Sequence, residues 1–134
     1  MSRRLAHVAY ELHANLERAL GDALVELDLT LPLADALWQL DPALGPLSRR
    51  QLSERLGCHP SNVTFLINRL ERRRLVTRAG ADADRRVRML ALTPAGARAR
   101  EHLIATLAAS SLFSRLTSSE RRQLVVLLGR CGQN

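Results

Sequence analysis

From Pro60 onward the chain sets out side chains that could read a polyanion. If residues 60–74 form a helix, Val63, Leu66, Ile67 and Leu70 fall at the i, i+3, i+4, i+7 spacing of a single buried face. With about 100° of turn per residue, Ser61, Phe65, Asn68 and Arg72 then point away from that face. Asn62, Thr64 and Arg69 sit on its flanks. Amides and hydroxyls at a helix start, with guanidiniums further along, suit a DNA major groove. The former meet base edges and the latter meet phosphates. A plain solvated helix face is the competing reading, and the charge distribution argues against it.

The chain of 134 residues carries a formal charge of +7, and all 20 of its basic residues are arginine. Residues 49–88 hold 11 arginines against the four acids Glu54, Glu71, Asp82 and Asp84, so this segment accounts for the whole excess. The remainder has nine of each sign and is neutral. An arginine-rich genome would explain the lack of lysine but not the clustering, which is an electrostatic footprint for a polyanion. Apolar content of 46% and charged content of 25% fit a globular protein with a buried core. No apolar run approaches the roughly 18 residues of a membrane span, and no signal peptide is evident, so a cytoplasmic location without membrane partners is expected. Cys58 and Cys131 form neither a CxxC motif nor a disulfide framework.

The elements that must position these residues follow from periodicity and caps. Leu5, Val8, Leu12, Leu16, Leu20 and Leu24 predict a long amphipathic helix over 4–27. Thr30-Leu31-Pro32 opens a second helix that ends near Leu40. Ser48 and Gln51 form a capping box for a third, whose stripe is Leu52 and Leu56, and Gly57 suits the left-handed position after it. The helix from Pro60 follows so closely that the pair reads as a helix-turn-helix. Residues 75–78 and 88–92 are short enough for two strands, with a charged loop, Ala79 to Val87, between them. Leu90 and Leu92 should face the core. Thr93-Pro94 starts a helix running to about Leu112, and Thr117 with Glu120 caps a last one containing Leu124, Leu127 and Leu128.

A helix-turn-helix followed by a hairpin with a charged tip is a winged helix, and the residues in that order resemble the MarR family of bacterial transcription regulators. The resemblance rests on Leu56-Gly57, Pro60 with Val63-Thr64, Arg69-Leu70-Glu71, Leu75-Val76, Asp84-Arg85-Arg86, and Leu92-Thr93 with Gly96. "LTLP" at 29–32 and "LTSSE" at 116–120 extend it over nearly the whole chain. It implies a mainly α protein with a small β-hairpin, a winged helix-turn-helix flanked by N- and C-terminal dimerisation helices. The implied division is 1–29 for the first dimerisation helix, 30–95 for the DNA-binding domain and 96–134 for the remaining dimerisation helices. The recognition helix would span about 60–74 and the wing about 76–92.

The resemblance further implies a homodimer on double-stranded DNA with a roughly palindromic operator. It would act as a repressor, released by a small-molecule effector or an oxidant. Base-reading residues would be Ser61, Asn62, Thr64, Phe65 and Asn68, with phosphate contacts from Arg49, Arg50, Arg69 and Arg72 and a wing formed by Arg85, Arg86 and Arg88. Asp84 would hold a neighbouring arginine in a forked pair, and the family pattern favours Arg86 for the minor groove. Three positions depart from that pattern. Phe65 stands where an arginine is usual, which suggests contact with a thymine methyl or packing against a neighbouring element. His59 replaces a serine cap and should weaken the helix start. Arg74 replaces a glycine before Leu75, so the turn must tolerate a side chain.

Other chemistries find less support. No HExxH, GxSxG, P-loop or glycine-rich nucleotide fingerprint is present, and no carboxylate pair is poised for acid–base work, so no enzyme and no cofactor is expected. His7 with Glu11 and His13 with Glu17 are i, i+4 pairs of the kind usually found solvated, although a metal-responsive regulator is the reading they would serve. Cys58 lies in the turn before the recognition helix, where packing is favoured over a sensing thiol. Tyr10, His13 and Trp38 are candidates to line an effector site and equally candidates for core. A winged-helix module that binds protein instead of DNA is the alternative from another class.

Overall fold

The structure is a computed structural model; it describes residues 2–80 and 88–132, with only the backbone at 79 and 80. Among the described residues six helices and three strands follow in order: α1 (Arg3–Leu27), α2 (Leu31–Gln39), β1 (Leu47–Ser48), α3 (Arg49–Leu56), α4 (Pro60–Arg72), β2 (Val76–Gly80), β3 (Arg88–Leu92), α5 (Pro94–Ala109) and α6 (Ser118–Cys131). Short 3-10 turns cover Pro42–Leu44 and Ser111–Phe113. The last of these ends the regular α5 helix before the predicted Leu112. Among the described residues no helix is long and apolar enough to cross a membrane.

The chain divides into two compact units. One comprises Gly21–Ala105, and the other Met1–Leu20 with Thr106–Asn134. In the first, α2 packs on α3 and α4, and those two helices pack on a three-stranded antiparallel sheet of order β1-β3-β2. Strand β1 is an element that the sequence does not announce. Only two residues long, it pairs Leu47 with Leu90 and Ser48 with Met89. Strand β2 pairs with β3 from Val76↔Leu92 through Arg78↔Leu90 to Gly80↔Arg88, extending past the predicted Arg78. The core of this unit is Leu33, Leu37, Leu40, Leu47, Leu52, Val63, Leu66, Ile67, Leu70, Val76, Leu90 and Ala99. All four predicted stripe residues of α4 are buried, Leu66 most loosely at 9% exposed. Leu90 is buried and Leu92 packs against the same core as a partly buried neighbour.

Local chemistry sets the helix ends. Both predicted capping boxes form, Ser48 with Gln51 and Thr117 with Glu120. Gly57 takes the left-handed conformation after α3, at φ 63°. Helix α4 ends two residues earlier than predicted, because Arg74 turns the chain with φ 58°. The position where the family resemblance leads one to expect glycine is therefore one where glycine would be unstrained and arginine is not. The start of α5 is fastened to this turn. The Thr93 amide donates to the Leu75 carbonyl at 3.0 Å, the Thr93 hydroxyl to the Arg74 carbonyl at 2.6 Å, and the Gly96 amide to the Thr93 hydroxyl at 3.1 Å.

The other unit contrasts with this. Helix α6 has no buried residue, and Val125, Val126, Leu127 and Leu128 are all exposed. Along α1 the predicted stripe is half-covered at best. Leu5 and Val8 are exposed, while Leu12, Leu16 and Leu20 are intermediate. Ala23, in the Gly21–Ala105 unit, is the one buried residue of α1 among those described.

Candidate nucleic-acid interface

Helix α4 is seated by its buried stripe, so its opposite face is fixed in direction. Ser61, Asn62, Phe65, Asn68, Arg69 and Arg72 are exposed, and Thr64 is half-buried. Preceding it, α3 brings Arg49 alongside. The Arg49 guanidinium donates to the Thr64 hydroxyl at 3.3 Å, and that hydroxyl donates to the Pro60 carbonyl at 3.1 Å. Arg50 lies within 3.3 Å of Glu54 on the same helix, an ion pair almost wholly in solvent. Such pairs are worth little, so Arg50 is free to exchange Glu54 for a phosphate.

His59 corrects the sequence expectation of a weakened helix start. Its Nδ1 accepts from the Ser61 amide at 3.2 Å and lies 2.8 Å from the Ser61 hydroxyl. The imidazole thus does the work of a serine cap, by an acceptor nitrogen instead of an oxygen. It also engages the Ser61 hydroxyl.

Of the two readings that the sequence leaves open for Phe65, its 59% exposure is in keeping with an outward-facing side chain. The Arg69 guanidinium, one turn on, stands 5.5 Å from the ring centroid. That cation–π contact holds the guanidinium along the outer face of α4. The ring also borders a shallow groove of about 390 Å³ shared with Pro32, Asp35, Leu56, Cys58, Asn62 and Leu66. Cys58 is half-buried there and packs against the core, in keeping with the packing role favoured for it.

Two arginines contribute that sequence reasoning passed over. Arg78 on β2 donates to Asn68 Oδ1 at 2.9 Å and to Glu71 Oε1 at 2.8 Å. The available signal was strand alternation: Arg78 is two residues from buried Val76 and so shares its face. Arg73, at the end of α4, donates to the carbonyl of Leu27 at 2.6 Å and also to that of Asp28. It closes the C-terminus of α1, where Asp28 turns with φ 51°. No local pattern signals a contact 45 residues away in sequence.

The predicted wing residues divide. Arg88 begins β3 and is exposed. Asp84, Arg85 and Arg86 lie outside the described residues. The proposed effector residues do not form a described site. Tyr10 is 71% exposed, and exposed His13 sits 3.0 Å from Glu17; both belong to the Met1–Leu20 and Thr106–Asn134 unit. Trp38 belongs to the other unit, where the Arg100 guanidinium lies 6.0 Å from its ring and donates to its carbonyl at 3.0 Å.

A seated helix with an arginine-flanked polar face, preceded by a short capped helix and followed by an antiparallel strand pair, defines a winged helix-turn-helix protein. Residues 27–87, which contain the two helices and strand β2 but not β3, match the sequence model of the MarR family. That segment is similar to the MarR family of DNA-binding transcription regulators. No curated protein sequence matches it. In structure it is similar to a MarR-family transcriptional regulator from Rhodococcus sp. RHA1, with a TM-score of 0.80 at 21% identity, over 99% of this chain and 96% of that one. A cysteine-to-serine mutant of MarR from E. coli complexed with operator DNA gives a TM-score of 0.73 at 22% identity, over 96% and 94% of the two chains. BpsR of Bordetella bronchiseptica, from a structure on regulation of its DNA binding by 6-hydroxynicotinic acid, also gives 0.73, at 21% identity over 98% and 100%.

Proposed function

We infer that this regulator works as a homodimer on a roughly palindromic operator, as a repressor that a small effector releases. The observation that carries the DNA reading is the outer face of α4, where exposed Ser61, Asn62, Phe65 and Asn68 are flanked by Arg49, Arg50, Arg69 and Arg72. Thr64 supports this face from its edge. Arg85, Arg86 and Arg88 serve as the wing, with Asp84 aiming one of them and Arg86 entering the minor groove. The exposed apolar runs of α1 and α6 support the dimer. Val125 to Leu128 leave four consecutive large apolar side chains in water, which a partner chain would cover. Terminal segments 1–29 and 96–134 would supply that interface and 30–95 the contact with DNA.

Release by an effector is supported by a cleft of about 360 Å³ lined by Glu26, Leu27, Leu29, Arg73, Leu75, Ala95, Arg98 and Ala99. Two arginines against one carboxylate leave this lining net cationic, which suits a small organic anion, and Arg73 also caps the C-terminus of α4. An occupant there would pull on the recognition helix directly. Tyr10, His13 and Trp38 remain candidates to line an effector site. A small soluble effector is consistent with a protein acting in the cytoplasm without cofactor or metal.

The test is binding to the DNA flanking the coding region, titrated with salt. Log affinity should fall linearly and steeply with log salt concentration. Arg86→Ala should lower that slope by about one unit. Salt-independent binding, or none, would instead favour a winged-helix module that binds protein.

A further inference from the structure

The sequence gives Arg78 no role beyond its charge, yet its guanidinium joins two side chains of the recognition helix. Its Nη2 donates to Asn68 Oδ1 at 2.9 Å and reaches Glu71 Oε1 at 2.8 Å. Arginine has five donors and no acceptor. The Asn68 amide therefore has a settled orientation, with its oxygen turned toward β2 and its nitrogen away. Glu71 holds the guanidinium in this place by a charge-assisted bond, with both side chains about one-third exposed (31% and 33%).

We propose that Arg78 is a positioning residue that makes Asn68 a donor toward the major groove, so that each half-site carries an acceptor-bearing base there, guanine in first place and thymine in second. The proposal rests on the DNA-reading role of α4. An asparagine reads adenine with both ends of its amide, the oxygen accepting from N6 and the nitrogen donating to N7. Here Arg78 occupies one lone pair of the oxygen and holds it toward β2, so an adenine would have to share that oxygen with the guanidinium, and the paired contact is weakened while the donor end stays available. Guanine offers two adjacent acceptors, N7 and O6, to the two Nδ2 hydrogens. Thymine offers O4, whereas cytosine presents its N4 hydrogens against those of the amide. The nearby Thr64 hydroxyl does not compete as a donor, since its hydrogen goes to the Pro60 carbonyl at 3.1 Å.

The experiment starts from duplexes selected by the full-length wild-type protein from a randomised library. Affinities are then measured by fluorescence anisotropy at one salt concentration, with all four bases placed in turn at each half-site position. Wild type should favour guanine over cytosine by roughly tenfold at one position, with thymine between. Asn68→Ala should flatten the preference at that position alone. Arg78→Met should flatten the same position, and the double variant should lose nothing more. Asn68→Asp keeps an acceptor facing Arg78 but replaces the outward donors with an acceptor, so it should invert the preference toward cytosine. Uniform weakening by Arg78→Met with the base preference intact would reduce Arg78 to a structural role and overturn the proposal. Retention of the guanine preference by Asn68→Asp would do the same, and this exposed substitution carries the test should Arg78→Met fail to fold. A wild-type protein that enriches no sequence refutes the DNA-reading function itself. One that selects a sequence but keeps its preference as Asn68→Ala refutes only this inference.

Discussion

Gly96 offers the sharpest test of how the winged-helix unit is held together. A Cβ added at this position would lie 1.9 Å from the Leu75 carbonyl oxygen, 2.9 Å from its carbon and 3.3 Å from its Cα. Backbone cannot rotate out of the way as a side-chain tip can, so α5 would have to retreat from the turn by about 1 Å to reach tolerable contact. That retreat stretches the bond from the Thr93 amide to Leu75 at 3.0 Å and strains the Thr93 hydroxyl bond to Arg74 at 2.6 Å. Overpacking costs about 1–3 kcal/mol. One weakened hydrogen bond adds about 1 kcal/mol, while the better helix propensity of alanine returns up to about 1 kcal/mol. The net loss for Gly96→Ala is about 2 kcal/mol, which for a chain of this size lowers the melting midpoint by roughly 5–10 °C. The assay is thermal unfolding followed by circular dichroism at one fixed protein concentration, since assembly makes the midpoint concentration-dependent. Gly21→Ala is the comparison: it lies inside α1 with nothing within 4 Å of the added carbon, and should be neutral or stabilising. A Gly96→Ala midpoint at or above wild type would refute the reasoning, because the close approach would then not be constraining the turn.

Three further outcomes are expected. Replacing thymine by uracil at the half-site position facing Phe65 should weaken wild-type binding several-fold but leave Phe65→Ala unchanged; equal sensitivity in both proteins would remove the methyl contact. Arg74→Val should lower stability by about 1–2 kcal/mol in chemical denaturation, because a β-branched side chain is poorly tolerated at φ 58°, whereas Arg74→Gly should hold or raise it; the opposite order would count against strain at this turn. Val126→Glu, on the exposed face of α6, should shift the protein toward monomer in sedimentation experiments and lower operator affinity with it; an unchanged mass would place the dimer interface elsewhere.

Much of the fold was legible because its signals are local. The stripe Val63, Leu66, Ile67 and Leu70 has helical spacing, and all four residues are buried. Ser48 with Gln51 and Thr117 with Glu120 are reciprocal caps that need only three residues of chain, and both form. The outward face of α4 was legible for the same reason, since fixing one side of a helix fixes the other. Less accessible were contacts whose partners are remote or unusual. Strand β1 exists only because β3 lies beside it, and two residues of sequence carry no period. His59 caps through a ring nitrogen, which the usual ranking of cap residues does not anticipate.

Taken by itself, the sequence determined where charge accumulates, which helix faces are apolar and which residues could meet DNA, because composition, period and caps act over a few residues. Tertiary structure decided what those residues can do. Arg78 commits the oxygen of Asn68, Arg49 engages Thr64, Arg69 stands over Phe65, and Arg73 ties the end of α4 to the end of α1. Hydrogen-bonding capacity is finite, and packing alone determines how much of it is already used before DNA arrives.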